Sequence, residues 1–459
     1  MRVRWSQNGT HPTAQSRHSS VLSVKARLRQ LSDCTIIIDA GDALGSPLVH
    51  IGPTVNSSVI KSRFVTSVDP PRIISIDIFR GFTVLIMVVV DNLGFVKGLP
   101  WWTYHMPREA NGMTYVDMVF PAFLFLMGMS LPLSVGSRIA KAQSKSQIWM
   151  HVITRSLSLV VLGLFIANAP QVDAHATRMN ASTWTTLGFI AIALAWMRFP
   201  GTQGRKTISW LLRCAGFALL IGLAVTFRRI TPDGHLAWID FSDWEILGLL
   251  GWAYLAVATV YLLFEKKTPL LFSALAVFVA INALSAAGHL SQIETLPPYA
   301  RPFEAGLSSI TMAGLLASLL IVGDTIAATL KAKIRCTLTL AAILFVAGRA
   351  LRGLGISKIR DTPTWCLYCM SANILIAMLL YWHADVRNGL RWTNFARVVG
   401  GQALLAYFLP YLAYLLPLLW PLTADGTSGW LGAAWSLLFA AGILAIVSLS
   451  HREKITLQI

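Results

Sequence analysis

An imidazole between two carboxylates is the most reactive combination spelled out in one short stretch of this chain. His105 closes the run LPWWTYH (99–105), Asp91 precedes it at the end of one apolar segment, and Asp117 follows it at the start of the next. Histidine is the side chain best suited to general-base work near neutral pH, because a carboxylate can hold one ring nitrogen while the other takes a proton. Asp91 and Asp117 are the carboxylates at that level, and Asn111 and Gly112 are a tight-turn signal able to bring them together. The same residue types also fit a plainer role. A histidine among amphipathic aromatics can be a satisfied group at a membrane interface, and Asp91 with Asn92 can close a helix and anchor a loop.

Further ionisable groups lie in or beside apolar segments. Arg80 and Asp91 are separated by about three helical turns, which puts them on one face roughly 16 Å apart along the axis. Asp77 stands three residues before Arg80, close enough for an ion pair that could simply fix the helix end. Arg349 and Arg352 are also three apart and are expected to face Asp385 or a cavity, and Lys358 and Arg360 follow them. Such groups are costly in hydrocarbon unless they meet partners or line a cavity. Asn373 and Gln402 are intramembrane amides expected to bond helices together.

The elements that must position these groups are membrane helices. The chain has 459 residues, 55% of them hydrophobic and 13% charged, and long apolar runs recur from residue 73 to residue 449 with short polar connections between them. That pattern predicts an all-α, polytopic transmembrane bundle of about 10–12 spans. The candidate runs are 73–95, 115–135, 149–168, 184–198, 207–227, 245–264, 268–286, 306–329, 334–350, 365–383, 397–419 and 429–450. Lys and Arg concentrate in alternate connections, which places both termini in the cytoplasm and the hairpin after the first span outside. The connection 349–361 breaks this alternation with Arg349, Arg352, Lys358 and Arg360 on the outer side. Either a span is miscounted, or these cations are held inward for an anionic ligand or a buried carboxylate. Residues 1–70 are polar and basic and read as a poorly ordered cytoplasmic extension in which Ile36–Ile38 is at most a short strand; residues 71–455 form the membrane domain.

The net charge of +17 does not indicate a nucleic-acid partner, because the cations orient helices instead of forming a continuous groove. The five cysteines, Cys34, Cys214, Cys336, Cys366 and Cys369, indicate no disulfide scaffold. The Cys366-x-x-Cys369 pair lies in an apolar run without further ligands at suitable spacing, so packing is favoured and no metal is expected. No strand–turn–helix context supports a nucleotide fold.

The runs IDIFRG (76–81), VVDN (89–92), His105, NGMTYVDMVFP (111–121) and FLFLMG (123–128) resemble the heparan-alpha-glucosaminide N-acetyltransferase family and its bacterial relatives. ISKIRDTPTW (356–365), YWHADV (381–386) and GGQALLAY (400–407) resemble the carboxy-terminal signatures of that family. The resemblance implies a membrane acetyltransferase that takes acetyl groups from cytosolic acetyl-CoA and delivers them to an amine across the membrane. It implies a catalytic role for His105, with the functional asparagine of the family falling on Asp91 or Asn92 and its acidic residue on Asp117. Asp91 in place of Asn, Ser357 in place of a second Asn and Gln402 in place of a third depart from the pattern, which points the acceptor toward a sugar or envelope-glycan amine or hydroxyl.

On this reading acetyl-CoA is the acyl donor, with its phosphates met at the inner mouth by Arg80 beside Asp77; Arg349, Arg352 and Lys358 are the other cations available to it. His105 would act as base or take the acetyl group itself, oriented by Asp91 or Asp117, while a donor such as Asn92 faces the developing oxyanion. The expected partners are acyl-CoA, a sugar or glycan acceptor and membrane lipid, without nucleic acid and with a homodimer allowed. The expected place is the bacterial inner (plasma) membrane. Two other classes fit the same features: a permease for a small solute, since a polar path through a bundle also carries solutes, and a noncatalytic glycan-binding membrane protein.

Overall fold

Hydrocarbon offers the backbone no hydrogen-bond partners, so apolar runs of about twenty residues fold as helices whose amides are bonded within the segment. The computed structural model describes residues 3–4, 37–38, 73–198, 206–264, 267–290, 305–323, 326–387, 389, 393–415, 427–453 and 456–457. Over these the chain is an all-α, polytopic membrane bundle. Its helices are α1 (Ile74–Leu93), α2 (Val119–Ala140), α3 (Lys145–Asn168), α4 (Ala181–Trp196), α5 (Lys206–Thr226), α6 (Glu245–Phe264) and α7 (Thr268–Ala286). They continue as α8 (Ala305–Ile321), α9 (Leu330–Ala350), α10 (Pro363–Tyr381), α11 (Asn394–Gly401), α12 (Ala403–Leu415) and α13 (Gly429–Arg452). A five-residue π-helical turn, Trp382–Val386, extends α10.

Among the described residues, seven helical segments are long and apolar enough to cross a membrane, and the pair α11 and α12, bent by 83° about Gln402, makes eight. Each of the twelve expected runs contains a helix. The smaller number has physical causes. Helices α4 and α8 are short, α1 carries Asp77, Arg80 and Asp91, and α9 carries Lys331, Lys333, Arg335 and Arg349.

Contacts between connections fix which helix ends lie together. In the α1–α2 hairpin, Gly112 N donates to Ile356 O at 3.0 Å, and Asn111 Oδ1 accepts from Ile356 N at 2.8 Å. The connection 351–362 is thus on the hairpin side, with an even number of crossings between the two. A miscounted span therefore does not explain the basic loop. Asp173 N donates to Arg228 O at 2.9 Å, joining the α3–α4 and α5–α6 connections, and Gly429 N donates to Lys97 O at 2.7 Å. At the opposite end, Asp385 accepts from Ile74 N at 2.8 Å and Ser75 N at 3.0 Å, capping the first turn of α1. There Met197–Arg198 also pair antiparallel with Thr456–Leu457.

Lipid tails give helices no hydrophobic reason to associate, so close packing through small residues carries much of the cohesion. Gly81 of α1 and Gly400 of α11 bring two backbones into contact: a Cβ on the first would overlap the Ala396 carbonyl, and one on the second the Asp77 carbonyl. Gly128 and Gly314 do the same for α2 and α8, and a Cβ on Gly163 of α3 would overlap the backbone of α6 at Trp244 and Gly248. Ser156 Oγ adds a hydrogen bond of 2.8 Å to Gly251 O across the last pair.

The chain divides into two compact units, Met1–Pro71 and Arg72–Ile459. In the first, Val3–Arg4 pair antiparallel with Ile37–Ile38; the remainder of the expected extension lies outside the described residues.

Candidate active site

The α1–α2 hairpin is a built loop, and its bonds converge on one histidine. Tyr104 Oη donates to Val96 O at 2.7 Å and accepts from Leu99 N at 3.1 Å, while Thr114 Oγ1 donates to Tyr104 O at 2.9 Å. The turn that allows this is Pro107–Ala110, closed by Ala110 N donating to Pro107 O at 3.1 Å. Asn111 and Gly112, expected to form the turn, instead pair with Ile356, because an Asn side chain and a Gly backbone can meet an adjacent strand-like segment edge to edge.

Thus held, His105 Nδ1 lies 2.7 Å from Asp117 Oδ1. The Asp117 side chain is 2% exposed, whereas that of His105 is 46% exposed. The second oxygen of Asp117 accepts from Thr114 N at 3.0 Å, Thr114 Oγ1 at 3.4 Å and Met106 N at 3.4 Å, and Trp365 Nε1 of α10 donates to the Asp117 carbonyl at 3.2 Å. A carboxylate so furnished accepts the Nδ1 proton and leaves Nε2 as a free base on an accessible edge.

Asp91 faces the same space but does not hold the ring. It makes no hydrogen bond or ion pair among the described residues, is open to solvent, and has His105 and Lys358 as its nearest charges. Neighbouring Asn92 is fully buried. Lys358 arrives on the connection 351–362 and feels Asp117, Asp91 and Glu245 together without an ion-pair contact to any of them. The basic loop therefore brings one of its cations inward to a carboxylate cluster, while Arg349 and Arg352 stay exposed. The expected approach of Arg349 or Arg352 to Asp385 is not found, since Asp385 is engaged at the other end of the bundle by the α1 amides.

Burial pulls the Lys358 ammonium below the usual lysine range, and the charges of Asp117 and Asp91 oppose that pull without cancelling it. A lysine with a depressed folded-state pKa destabilises the fold while it is charged, and the penalty lifts as pH rises through that value. If its charge serves turnover, activity falls on the alkaline side as Lys358 deprotonates. Lys358→Arg, which stays charged, should carry that limb of the pH–rate profile to higher pH; an unmoved limb would show that the charge is not used.

A second cluster was not singled out by the residue pattern. Glu245 opens α6 with φ at 51°, a left-handed backbone that a bulky residue adopts only when its surroundings insist. Tyr407 Oη lies 2.8 and 2.9 Å from its two carboxylate oxygens, and Tyr411 Oη lies 3.2 Å from Oε1. The loop leading to it is fixed by Asn168, which accepts from Asp240 N at 2.7 Å and donates to Asp240 O at 3.0 Å. Two tyrosines four apart in an apolar helix were the available signal, but their partner is 162 positions away.

Asp77 and Arg80 are at the far end. Arg80 Nη1 lies 3.3 Å from Asp77 Oδ1 and donates to Gly400 O at 3.3 Å, and Nη2 donates to Ser130 Oγ at 2.7 Å. A cavity of about 390 Å³ begins here, lined by Arg80, Ser130, Ser134 and Arg155, and runs to Leu247 and Tyr407 beside Glu245. His105 is not among its lining residues. Arg155 lies within α3 with its guanidinium 5.1 Å from the Tyr254 ring centre and no acidic partner among the described residues. A single cation inside an apolar run was the signal that would have found it.

Other expected groups are structural or apart. Gln402 Nε2 is 3.4 Å from His451 Nδ1 of α13, as an amide joining helices should be, whereas Asn373 Nδ2 makes no hydrogen bond among the described residues. Cys366 Sγ donates to Asp361 Oδ1 at 3.2 Å and Cys369 is fully buried. No group of three or more His, Cys, Asp or Glu able to hold a metal occurs among the described residues.

Residues 72–296 match the family described as a domain of unknown function, DUF5009. The chain is also 38% identical over 99 residues to heparan-alpha-glucosaminide N-acetyltransferase of Homo sapiens, and 36% identical over 97 residues to that of Mus musculus. These matches cover 22% and 21% of this chain but only 14% of either relative's length. A shorter similarity, 35% over 94 residues, links 17% of the chain to 46% of a Na(+)-translocating NADH-quinone reductase component of Psychrobacter cryohalolentis. The chain is an integral membrane protein whose residues 72–296 match the DUF5009 family and which is similar, over about a fifth of its length, to the heparan-alpha-glucosaminide N-acetyltransferases.

Proposed function

We propose that this protein is a membrane-bound acyltransferase that moves an acetyl group from cytosolic acetyl-CoA to an amine or hydroxyl of a sugar or envelope glycan on the other side of a bacterial inner membrane. The observation that carries this reading is the pairing of an accessible His105–Asp117 dyad at one end of the bundle with a cavity lined by Arg80 and Arg155 toward the other. Similarity to the acetyltransferases adds support.

In this account all twelve helical runs cross the membrane, with α11 and α12 together making one, and both termini are cytoplasmic. Arg138, Lys141, Lys145, Lys331, Lys333 and Arg335 then lie inside, as positive-inside orientation requires. The donor enters at the Arg80 end and places its acyl end near Tyr407. Arg80 is already committed to Asp77, Gly400 and Ser130, so Arg155 is the cation with capacity for the donor's phosphates or amide carbonyls. His105 Nε2 removes the acceptor proton, Asp117 holds the tautomer, and Lys358 offers a donor for the developing oxyanion. Direct transfer and an acetyl-imidazole intermediate both begin at the same Nε2.

Arg155→Ala should raise KM for acetyl-CoA about tenfold or more, equivalent to about 1.4 kcal/mol of lost binding, with a smaller change in kcat. A KM within twofold of wild type would remove Arg155 from the donor site. The function itself is tested by incubating purified protein with acetyl-CoA and an amino sugar. One CoA released per acetylated acceptor supports transfer. Passage of solute without acetyl-CoA consumption would support a permease instead.

A further inference from the structure

The base step leaves one cluster unused, and it borders the cavity. Tyr407 lines the cavity, and its hydroxyl is bonded to Glu245. Glu245 and Tyr411 are in turn within electrostatic reach of Asp91, whose own electrostatic neighbours include His105 and Lys358. No cation lies within ion-pair distance of Glu245 among the described residues.

The geometry of the cluster is that of a proton held in common. One phenol carries one proton, yet Tyr407 Oη is 2.8 and 2.9 Å from both oxygens of Glu245, 3.2 Å from Tyr411 Oη, and Tyr411 Oη is 3.2 Å from Glu245 Oε1. The phenol protons can serve only part of this set. A proton on the carboxyl would serve the rest and spare the bundle a charge that no ion pair meets among the described residues.

A thioester gives up its acyl group as a thiolate, and a thiolate expelled into an apolar cavity needs a proton or a strong donor. Resting on the acyl-transfer reading above, we propose that Tyr407, backed by Glu245 and Tyr411, is the general acid for the leaving group, the counterpart of His105 as base. In the step, the acceptor nitrogen or oxygen forms a bond to the acetyl carbon and its proton goes to His105 Nε2. The carbon–sulfur bond breaks, its electron pair leaves with sulfur, and sulfur takes the Tyr407 proton, which the Glu245 carboxyl replaces. Between turnovers His105 releases that proton to solvent at its accessible edge and the Glu245 carboxyl takes one up in its place, so the cycle is proton-neutral.

The test compares acetyl-CoA with the acetyl thioester of 4-nitrothiophenol, whose thiolate departs without protonation. Rates are read as kcat/KM so that weak binding of the aryl thioester does not hide the ratio. For Tyr407→Phe the expected result is a loss of about 100-fold or more with acetyl-CoA, borne by kcat with KM little changed, and a loss below about threefold with the aryl thioester. Glu245→Gln keeps the shape and the hydrogen bonding to both phenols and should reproduce the pattern should the first variant fail to fold. Equal loss on both donors, or full activity with acetyl-CoA, would overturn the acid assignment while leaving the transferase reading intact. A wild-type protein that consumes neither donor would overturn both.

Discussion

On the proposed acetyl transfer, Asp117→Asn should lower the rate by roughly 10²- to 10⁴-fold, nearly as much as His105→Ala, although the substitution removes no bulk. The reason lies in the second carboxylate oxygen. Thr114 N, Thr114 Oγ1 and Met106 N all donate to it, so an asparagine turns its carbonyl oxygen toward them and its amide NH₂ toward His105. The ring nitrogen at Nδ1 must then accept, the proton moves to Nε2, and the base faces the acceptor already protonated. The hairpin stays folded, because the donors that shape it remain satisfied. Donor KM should change little, since neither His105 nor Asp117 is among the residues lining the cavity. Steady-state kinetics of the purified variant check this. A rate within about threefold of wild type would show that His105 is an interfacial group and not the base.

The largest effect on the fold is expected at the seam of α1 and α11. Gly81→Val and Gly400→Val each place side-chain atoms where the other helix has backbone: Ala396 carbonyl in one case, Asp77 carbonyl in the other. Backbone cannot swing aside as a flexible side chain can. Overpacking of an ordinary core costs about 1–3 kcal/mol, and here the whole helix must retreat. The seam also carries function, because Arg80 reaches the Gly400 carbonyl across it and Gly400 and Gly401 form part of the cavity wall. Thermal unfolding in detergent should show a Tm lowered by roughly 10 °C or more for either variant, or no folded protein recovered. Gly222→Val is the matched control, since a Cβ there meets open space, and its Tm should stay near wild type.

What the chain made legible follows from the range of the interactions involved. The helices were readable because apolar length is a local property, and each expected run holds one. The pairing of His105 with Asp117 was within reach because only twelve positions separate them. Which of the two carboxylates holds the ring was not readable: Asp91 and Asp117 occupy the same level, and the choice depends on Thr114 and Met106 shaping the pocket. The anomalous basic loop signalled an inward cation, but only the docking of Ile356 on Asn111 shows that it is Lys358 and not Arg349 or Arg352. Tyr407 and Arg155 escaped notice, and Glu245 was read only as standing with Trp244 at the entry of a span, because a helical pattern says which face a residue occupies, not which distant helix meets it. The bend at Gln402 was passed over as well: Gly400-Gly401-Gln402 is a breaker signal inside the apolar run 397–419, but the size of the turn, 83°, is set by packing.

Transfer across the bilayer is the claim on which the rest depends, and one vesicle experiment addresses it. Protein inserted in one orientation receives labelled acetyl-CoA on the face bearing Arg80, while glucosamine is trapped on the face bearing His105. The account predicts label appearing in the trapped sugar, one CoA released on the Arg80 face for each acetyl delivered, and both processes lost together in His105→Ala. Label confined to the donor face, or delivery that persists without His105, would contradict it.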